Sequence, residues 1–302
     1  MCDELTERDN QAYLKELELT RRDFGKLGMG AAIAAVLPAV ASAENVLESE
    51  VEIETPDGVA DAYFVHPAKG RHPGVIVWPD VMGIRPSYRS MGKRLAQSGY
   101  AVLVVNPYYR TFKGRITPEG GTYGDPELRA KIQPHRESLS PETCVRDGKA
   151  FVGFLDSQDV VDTDRQLGTT GYCMTGSYTF RLAAAMPERI GAGASFHGGG
   201  LVTDAEDSPH KLIAQIKGGM LVAIAENDDS RQPEAKTVLA ETFASAGVDG
   251  EVEVYQGAMH GWCPPDSPVY NEVQAERAWG RLLVLFETHL APSSHSARTS
   301  YS

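Results

Sequence analysis

Three side chains of this sequence have the types and the chain order of a nucleophile, an acid and a base: Cys173, Asp228 and His260. Cys173 lies in Gln166-Leu-Gly-Thr-Thr-Gly-Tyr-Cys-Met-Thr-Gly-Ser-Tyr178, where a short β-type run breaks at Gly171 and a helical run starts just after the cysteine. This is the pattern of a nucleophile elbow, a tight strand-to-helix bend that exposes one reactive atom in front of a helix N-terminus. A thiol attacks poorly until it loses its proton. An imidazole can take that proton, and a carboxylate can fix the imidazole's tautomer and support its positive form. His260 and Asp228 fill these roles, with Asp229 the competing acid. The oxyanion of a tetrahedral intermediate needs preorganised donors, and the amides of Met174, at the helix start, and Val81, after the first buried strand, are the natural pair. Asp228, Asp229 and His260 do not have the spacing of a metal site, so no metal is expected.

Such groups must be carried by elements that converge. In open α/β sheets catalytic groups collect at the carboxyl ends of strands. Gly74–Trp78, Tyr100–Val105, the elbow strand, Ile190–Phe196, Leu221–Ala225 and Glu251–Tyr255 are short apolar runs of the kind buried in a parallel sheet. Val51–Thr55 and Ala60–Val65 flank the turn Pro56-Asp57-Gly58 and read as an opening hairpin. Helical spacing over Ser87–Ser98, Glu142–Leu155, Met174–Ala185, Pro233–Ala246 and Tyr270–Leu290 supplies the crossovers. Residues 106–141, rich in proline and glycine, are too long for an ordinary connection and are expected to be a lid-like excursion. The expected architecture is therefore α/β, one domain over residues 44–292 with a mostly parallel central sheet flanked by helices, followed by a disordered tail at 293–302. Nucleophile, acid, histidine is also the chain order of α/β hydrolases.

The chain has 302 residues, 42% hydrophobic and 23% charged, with a formal net charge of −12 and no Lys/Arg-rich run. A nucleic-acid partner or an anionic membrane surface is not expected of it. Residues 1–43 are set apart. Thr20-Arg-Arg-Asp-Phe-Gly-Lys26, the mild apolar run from Gly28 to Val40 and the triplet Ala41-Ser42-Ala43 are, in order, the parts of a twin-arginine export signal. The apolar run is too short to span a bilayer comfortably, so no stable membrane insertion is expected. The expected partner of this segment is the twin-arginine export machinery, and the expected location is the periplasm. Cleavage would remove Cys2 and leave Cys144, Cys173 and Cys263, an odd number that requires at least one thiol unpaired within the molecule.

Trp78-Pro-Asp-Val-Met-Gly83, Gly171-Tyr-Cys-Met-Thr-Gly176, Glu226-Asn-Asp228 and His260-Gly-Trp262 together resemble the dienelactone hydrolases, α/β hydrolases with a cysteine nucleophile. The similarity runs from about Val51 to Leu290. It implies the α/β-hydrolase fold and a Cys-His-Asp triad that opens a small cyclic or activated ester without metal or cofactor. It further implies that Asp80, the acidic residue near the thiol, helps to form the thiolate when substrate binds.

Three positions depart from the family's pattern. Asp80 stands where Glu is usual. Thr175 replaces the first of two paired glycines, and a β-branched residue there is expected to narrow or tilt the bend. Pro264 stands four residues past His260, where the family has a substrate-binding arginine, which leaves Arg110 as the carboxylate clamp. Tyr109, Trp262, Tyr108 and Met82 are candidate pocket walls. His197-Gly-Gly-Gly200 follows the nucleophile in the chain, whereas a lipase oxyanion motif precedes it, so it reads as a loop closing a strand and His197 as a surface or structural residue. Cys263 either lies near the pocket or pairs with Cys144. The competing function from another class is a non-catalytic α/β-hydrolase-fold binding protein. A thiol-redox role lacks a Cys-x-x-Cys pair.

Overall fold

The computed structural model describes residues 4–27 and 45–291, with side chains described over 5–16 in the first segment. The apolar run, the small-residue triplet and the tail of the sequence analysis lie outside the described residues. Helix α1 covers Glu4–Leu27. The opening hairpin follows, longer at both ends than expected: β1 (Val46–Thr55) and β2 (Gly58–Pro67) pair antiparallel from Val46↔Pro67 to Thr55↔Gly58. Its turn is closed by Thr55, whose hydroxyl accepts the Asp57 N–H at 3.1 Å and donates to the Gly58 carbonyl at 2.7 Å. Gly58 takes φ +126°, which a side chain would resist.

Next come β3 (Gly74–Trp78), α2 (Pro86–Gln97), β4 (Ala101–Val105), α3 (Pro126–Arg136) and α4 (Pro141–Asp156). They are followed by β5 (Leu167–Tyr172), α5 (Gly176–Ala185), β6 (Ile190–Phe196), β7 (Gly219–Ala225) and α6 (Glu226–Arg231). The chain ends on α7 (Ala235–Ala246), β8 (Gly250–Tyr255) and α8 (Glu272–His289). The strands form one sheet in the order β1-β2-β4-β3-β5-β6-β7-β8. β2 runs antiparallel to β4, and every pairing from β4 to β8 is parallel. This is an α/β-hydrolase fold, with the carboxyl ends of β3, β5, β6, β7 and β8 on one edge.

The side-chain period of two in each strand splits the core into two layers. Ile76, Trp78, Leu103 and Val105 pack with Phe151 and Leu155 of α4, Phe180 of α5 and Phe243 of α7. Val75, Val77, Val102 and Val104 face Leu95 of α2 and Leu282 and Phe286 of α8 on the other side. β3 and β4 are buried along their whole length, as unbroken apolar runs between two helical layers should be.

Besides α1, two helices were not evident from sequence. Within the excursion of residues 106–141, α3 is set by Asp125, whose carboxylate caps the Glu127 N–H at 2.9 Å, and by Pro126 at its first turn; Pro134 lies inside it and obscures the pattern. The Glu226-Asn-Asp-Asp run, expected as a bare strand end, coils into α6, and this short helix sets the direction of its acidic side chains.

Candidate active site

The bend after β5 is built from steric necessity. Cys173 begins a 3-10 turn (Cys173–Thr175) and is held at φ +57°, a left-handed conformation that costs a non-glycine residue about 1–3 kcal/mol. A Cβ on Gly171 would lie 2.1 Å from the Thr175 carbonyl oxygen, and one on Gly176 would lie 2.5 Å from Ser195 Oγ and 2.6 Å from the Gly198 Cα. Both glycines are therefore required by close backbone approach. Thr175 acts through its hydroxyl, a role its β-branching did not suggest. Its hydroxyl accepts the Tyr172 N–H at 2.9 Å and reaches the carbonyls of Trp78, Pro79 and Tyr172 at 2.8, 3.0 and 3.0 Å. The residue stitches the bend to the end of β3.

The acid and the histidine meet at the ends of β7 and β8. Asn227 Oδ1 accepts the His260 N–H at 2.8 Å, which fixes the histidine backbone against α6. Asp228 Oδ2 lies 2.7 Å from His260 Nδ1, and a second hydrogen bond joins His260 to Cys173. Asp229 is turned away, paired with Lys236 at 2.8 Å, so the choice between the two acids falls on Asp228. Burial opposes a charge on His260, but the Asp228 carboxylate and Cys173, by charge and hydrogen bonding, outweigh it and raise its pKa to about 10. Asp228 feels the same balance in reverse: burial pushes its carboxyl up, and His260 holds it below the ordinary carboxylate range.

The pocket in front of Cys173 and His260 holds about 720 Å³ of empty space, including its mouth, a size suited to a small molecule. Val81 lines it, and Met174 follows the cysteine in the 3-10 turn. No loop, cap or side-chain hydrogen bond among the described residues consumes the N–H of either. The Val81 and Met82 carbonyls are themselves held, by the Tyr108 hydroxyl at 2.8 Å and the Thr117 hydroxyl at 2.7 Å. The excursion thus buttresses the Val81–Met82 side of the pocket, and its Gly121–Gly124 loop forms a wall.

Asp80 lines the pocket but is not loose in it. Arg85 grips both of its oxygens, at 2.7 and 3.0 Å, and the Met82 N–H donates to it at 2.8 Å. Burial raises its pKa, the Arg85 charge and hydrogen bonds lower it further, and the net shift is downward. Arg85 also reaches Asp266, at 2.8 and 3.2 Å.

The expected substrate clamp is a correction. Arg110 does not line the pocket: its guanidinium is saturated by Asp57 and by the buried Asp147, at distances of 2.6 to 2.9 Å. Tyr109 stands beside it, its hydroxyl 2.7 Å from both Thr55 and Asp147. Trp262 is wholly buried and packs on His197 and Tyr255 behind the histidine. None of the three lines the pocket: Arg110 and Tyr109 are held by partners elsewhere, and Trp262 is held by packing. Cys263 is a free thiol facing a separate cavity lined by Tyr172 and Trp279, and Cys144 is free in α4.

Two pocket residues escaped the sequence reading. His197, at φ +40°, is fully buried rather than superficial, with its ring edge-to-face on that of His260 at 5.0 Å. Burial first, then the His260 charge, lower its pKa to about 3, so it stays neutral. The signal available was its place at the end of β6, next to the elbow strand. Arg85 was hidden in a loop before Pro86; its cue was a lone cation after a buried strand. Among the described residues no cluster of three His, Cys, Asp or Glu side chains is placed to hold a metal ion.

A mostly parallel sheet with a strained thiol elbow after β5, an acid after β7 and a histidine after β8 defines an α/β hydrolase. Residues 60–290 match the model of the dienelactone hydrolase family, and the chain belongs to that family. It is accordingly a hydrolase of carboxylic esters or lactones. It is 26% identical over 254 residues, 82% of this chain and 96% of the relative, to a Bradyrhizobium sp. protein designated a probable 2-oxo-3-(5-oxofuran-2-ylidene)propanoate lactonase. A Rhodococcus opacus carboxymethylenebutenolidase is 25% identical over 225 residues, 73% of this chain and 82% of that one. Among solved structures, a dienelactone hydrolase-like promiscuous phosphotriesterase from metagenomic libraries superposes with a TM-score of 0.65 at 21% identity, over 82% of this chain and 99% of its own.

Two measurements test this geometry. Thr175→Val keeps the shape but leaves the Tyr172 N–H buried without its partner, and should cost about 1–3 kcal/mol in urea unfolding. The charged His260 adds stability that is full below its unfolded pKa of about 6.5 and fades as pH rises toward about 10. In Asp228→Asn the largest raising cause is gone, and NMR titration of the His260 ring should show its pKa moving downward.

Proposed function

We propose that this protein hydrolyses a small ester or lactone through a Cys173 thioester. Cys173 Sγ, its proton carried by His260, attacks the carbonyl carbon, and the oxyanion is received by the Val81 and Met174 amides. As the tetrahedral intermediate collapses, the C–O bond breaks and His260 gives its proton to the leaving alkoxide, which stays tethered when the substrate is a lactone. His260 then takes a proton from water, the hydroxide attacks the thioester carbon, and the carboxylic acid leaves as the C–S bond breaks. Asp228 holds Nδ1 so that Nε2 faces the thiol and the water. The observation that carries this reading is the 2.7 Å contact of Asp228 with a histidine that is also bonded to a cysteine at φ +57°.

The lactones named for the two relatives make a small lactone the first substrate class to try. Asp80 enters the reaction only if a bound substrate draws Arg85 away from it, since both its oxygens are otherwise engaged. That engagement favours a second reading, a protein that binds such a molecule without turning it over. We further propose that residues 1–43 carry the chain through the twin-arginine machinery to the periplasm, on the Arg21-Arg22 and Ala41-Ser42-Ala43 signals.

Cys173→Ala should lower kcat/KM on activated esters and lactones by on the order of 10⁴ or more, with unchanged thermal stability. Wild-type turnover in that variant would reject the thioester mechanism, and absence of turnover in the wild type itself would leave the binding reading. For the leader, replacing Arg21 and Arg22 by lysine should strand the protein in the cytoplasm on fractionation; undiminished periplasmic recovery would discard the export assignment.

A further inference from the structure

The pocket in front of Cys173 is not roofed by the domain's own loops alone. Thr6, Glu7, Asn10 and Leu14 of α1 line it together with Cys173 and His260. Residues 6, 10 and 14 are spaced by four and so share one face of the helix. Both sides of the mouth are engaged. On one, Asn10 Nδ2 donates to the carbonyl oxygen of His260 itself at 3.0 Å. Next to it, Arg231 of α6 donates to Thr6 Oγ1 and to Asp9 Oδ2, each at 2.6 Å, and the Tyr13 hydroxyl donates to the Gly257 carbonyl at 3.4 Å. On the other, Glu7 rests on the Gly121–Gly124 wall so closely that a Cβ at Gly124 would lie 2.6 Å from its Oε1. Thr6 is buried by these contacts.

We infer that the rim formed by α6, the His260 turn and the Gly121–Gly124 loop is an interaction surface whose occupant is α1, and that α1 shuts the catalytic pocket until it leaves. The composition of the contact fits a removable plug. Three of the four pocket-facing residues are polar, and the helix is held mainly by hydrogen bonds at its rim, each worth little net in contact with water. A helix meant as permanent core would present an apolar stripe instead. The occupant lies within the segment that the twin-arginine reading removes, so departure of the leader and opening of the site are one event. Before that, substrate meets only the fraction of molecules in which α1 has lifted, and apparent affinity falls by that fraction.

The inference rests on Cys173 and His260 as the reacting pair, and the test separates the two. In the full chain, Asn10→Pro breaks α1 in its middle and removes the bond to His260. Cys173 should then be alkylated by iodoacetamide on the order of tenfold faster, with KM for an activated ester lowered to a similar degree and the thermal midpoint of the domain unchanged. Asn10→Ala should shift both in the same direction by less, which guards against a folding defect in the proline variant. A synthetic peptide of residues 4–16, added to Asn10→Pro, should slow alkylation again. Alkylation and KM equal to wild type in both variants would overturn the plug. Faster alkylation with no turnover in any form would uphold it and reject the hydrolytic mechanism instead.

Discussion

The hydroxyl of Thr175 is the contact on which the site depends. A cysteine at φ +57° stays there only if the surroundings over-determine it. Here the determination comes from one oxygen that accepts the Tyr172 N–H and bridges to the carbonyls of Trp78 and Pro79. Those carbonyls close β3, and the following residues, Asp80 and Val81, line the pocket. The thiol and the groups that face it are thus referenced to one another across two adjacent strands, with a single side chain as the fastener. A glycine at position 175 would relieve crowding but would offer no such oxygen.

The charges around the pocket are arranged for position more than for stability. Removing one member of a buried pair is costly, but the pair itself contributes little net, because two desolvated ions must first be taken from water. Arg85 with Asp80 and Arg110 with Asp147 are of this kind, each extended outward by a more exposed carboxylate, Asp266 and Asp57. The first fixes the loop that carries Val81. The second ties the hairpin turn at Asp57 to α4 and closes the outer edge of the excursion. Neither guanidinium is free for a substrate carboxylate unless one of its own carboxylates yields.

Much of this was legible in the sequence, for a physical reason. Buried parallel strands, helix stops and the elbow glycines are local in the chain, and catalytic groups sit at the ends of elements whose limits are readable. The meeting of Cys173, Asp228 and His260 followed, because strand ends are where such residues gather. What failed was long-range. Arg110 read as a clamp because its partners Asp57 and Asp147 are 53 and 37 residues away, and nothing in its neighbourhood announces them. The fastening role of the Thr175 hydroxyl was not legible, since the groups its oxygen touches come from the ends of two strands that only the fold brings together. The helical content of residues 4–16 was overshadowed by the targeting signals that follow it.

His197 and His260 show how a buried site assigns charge. The two rings meet at 5.0 Å, and burial acts against a positive charge on both. They differ in partners. His260 has Asp228 at 2.7 Å and the thiol opposite, so its proton is stabilised from both sides of the ring. Among the described residues neither nitrogen of His197 has a hydrogen-bond partner, and the charge that acts on it most strongly is that of its neighbour His260. Two imidazolium ions in contact would repel strongly in so dry a setting. The neutral ring therefore packs edge-to-face on His260 without adding a second positive charge to the site.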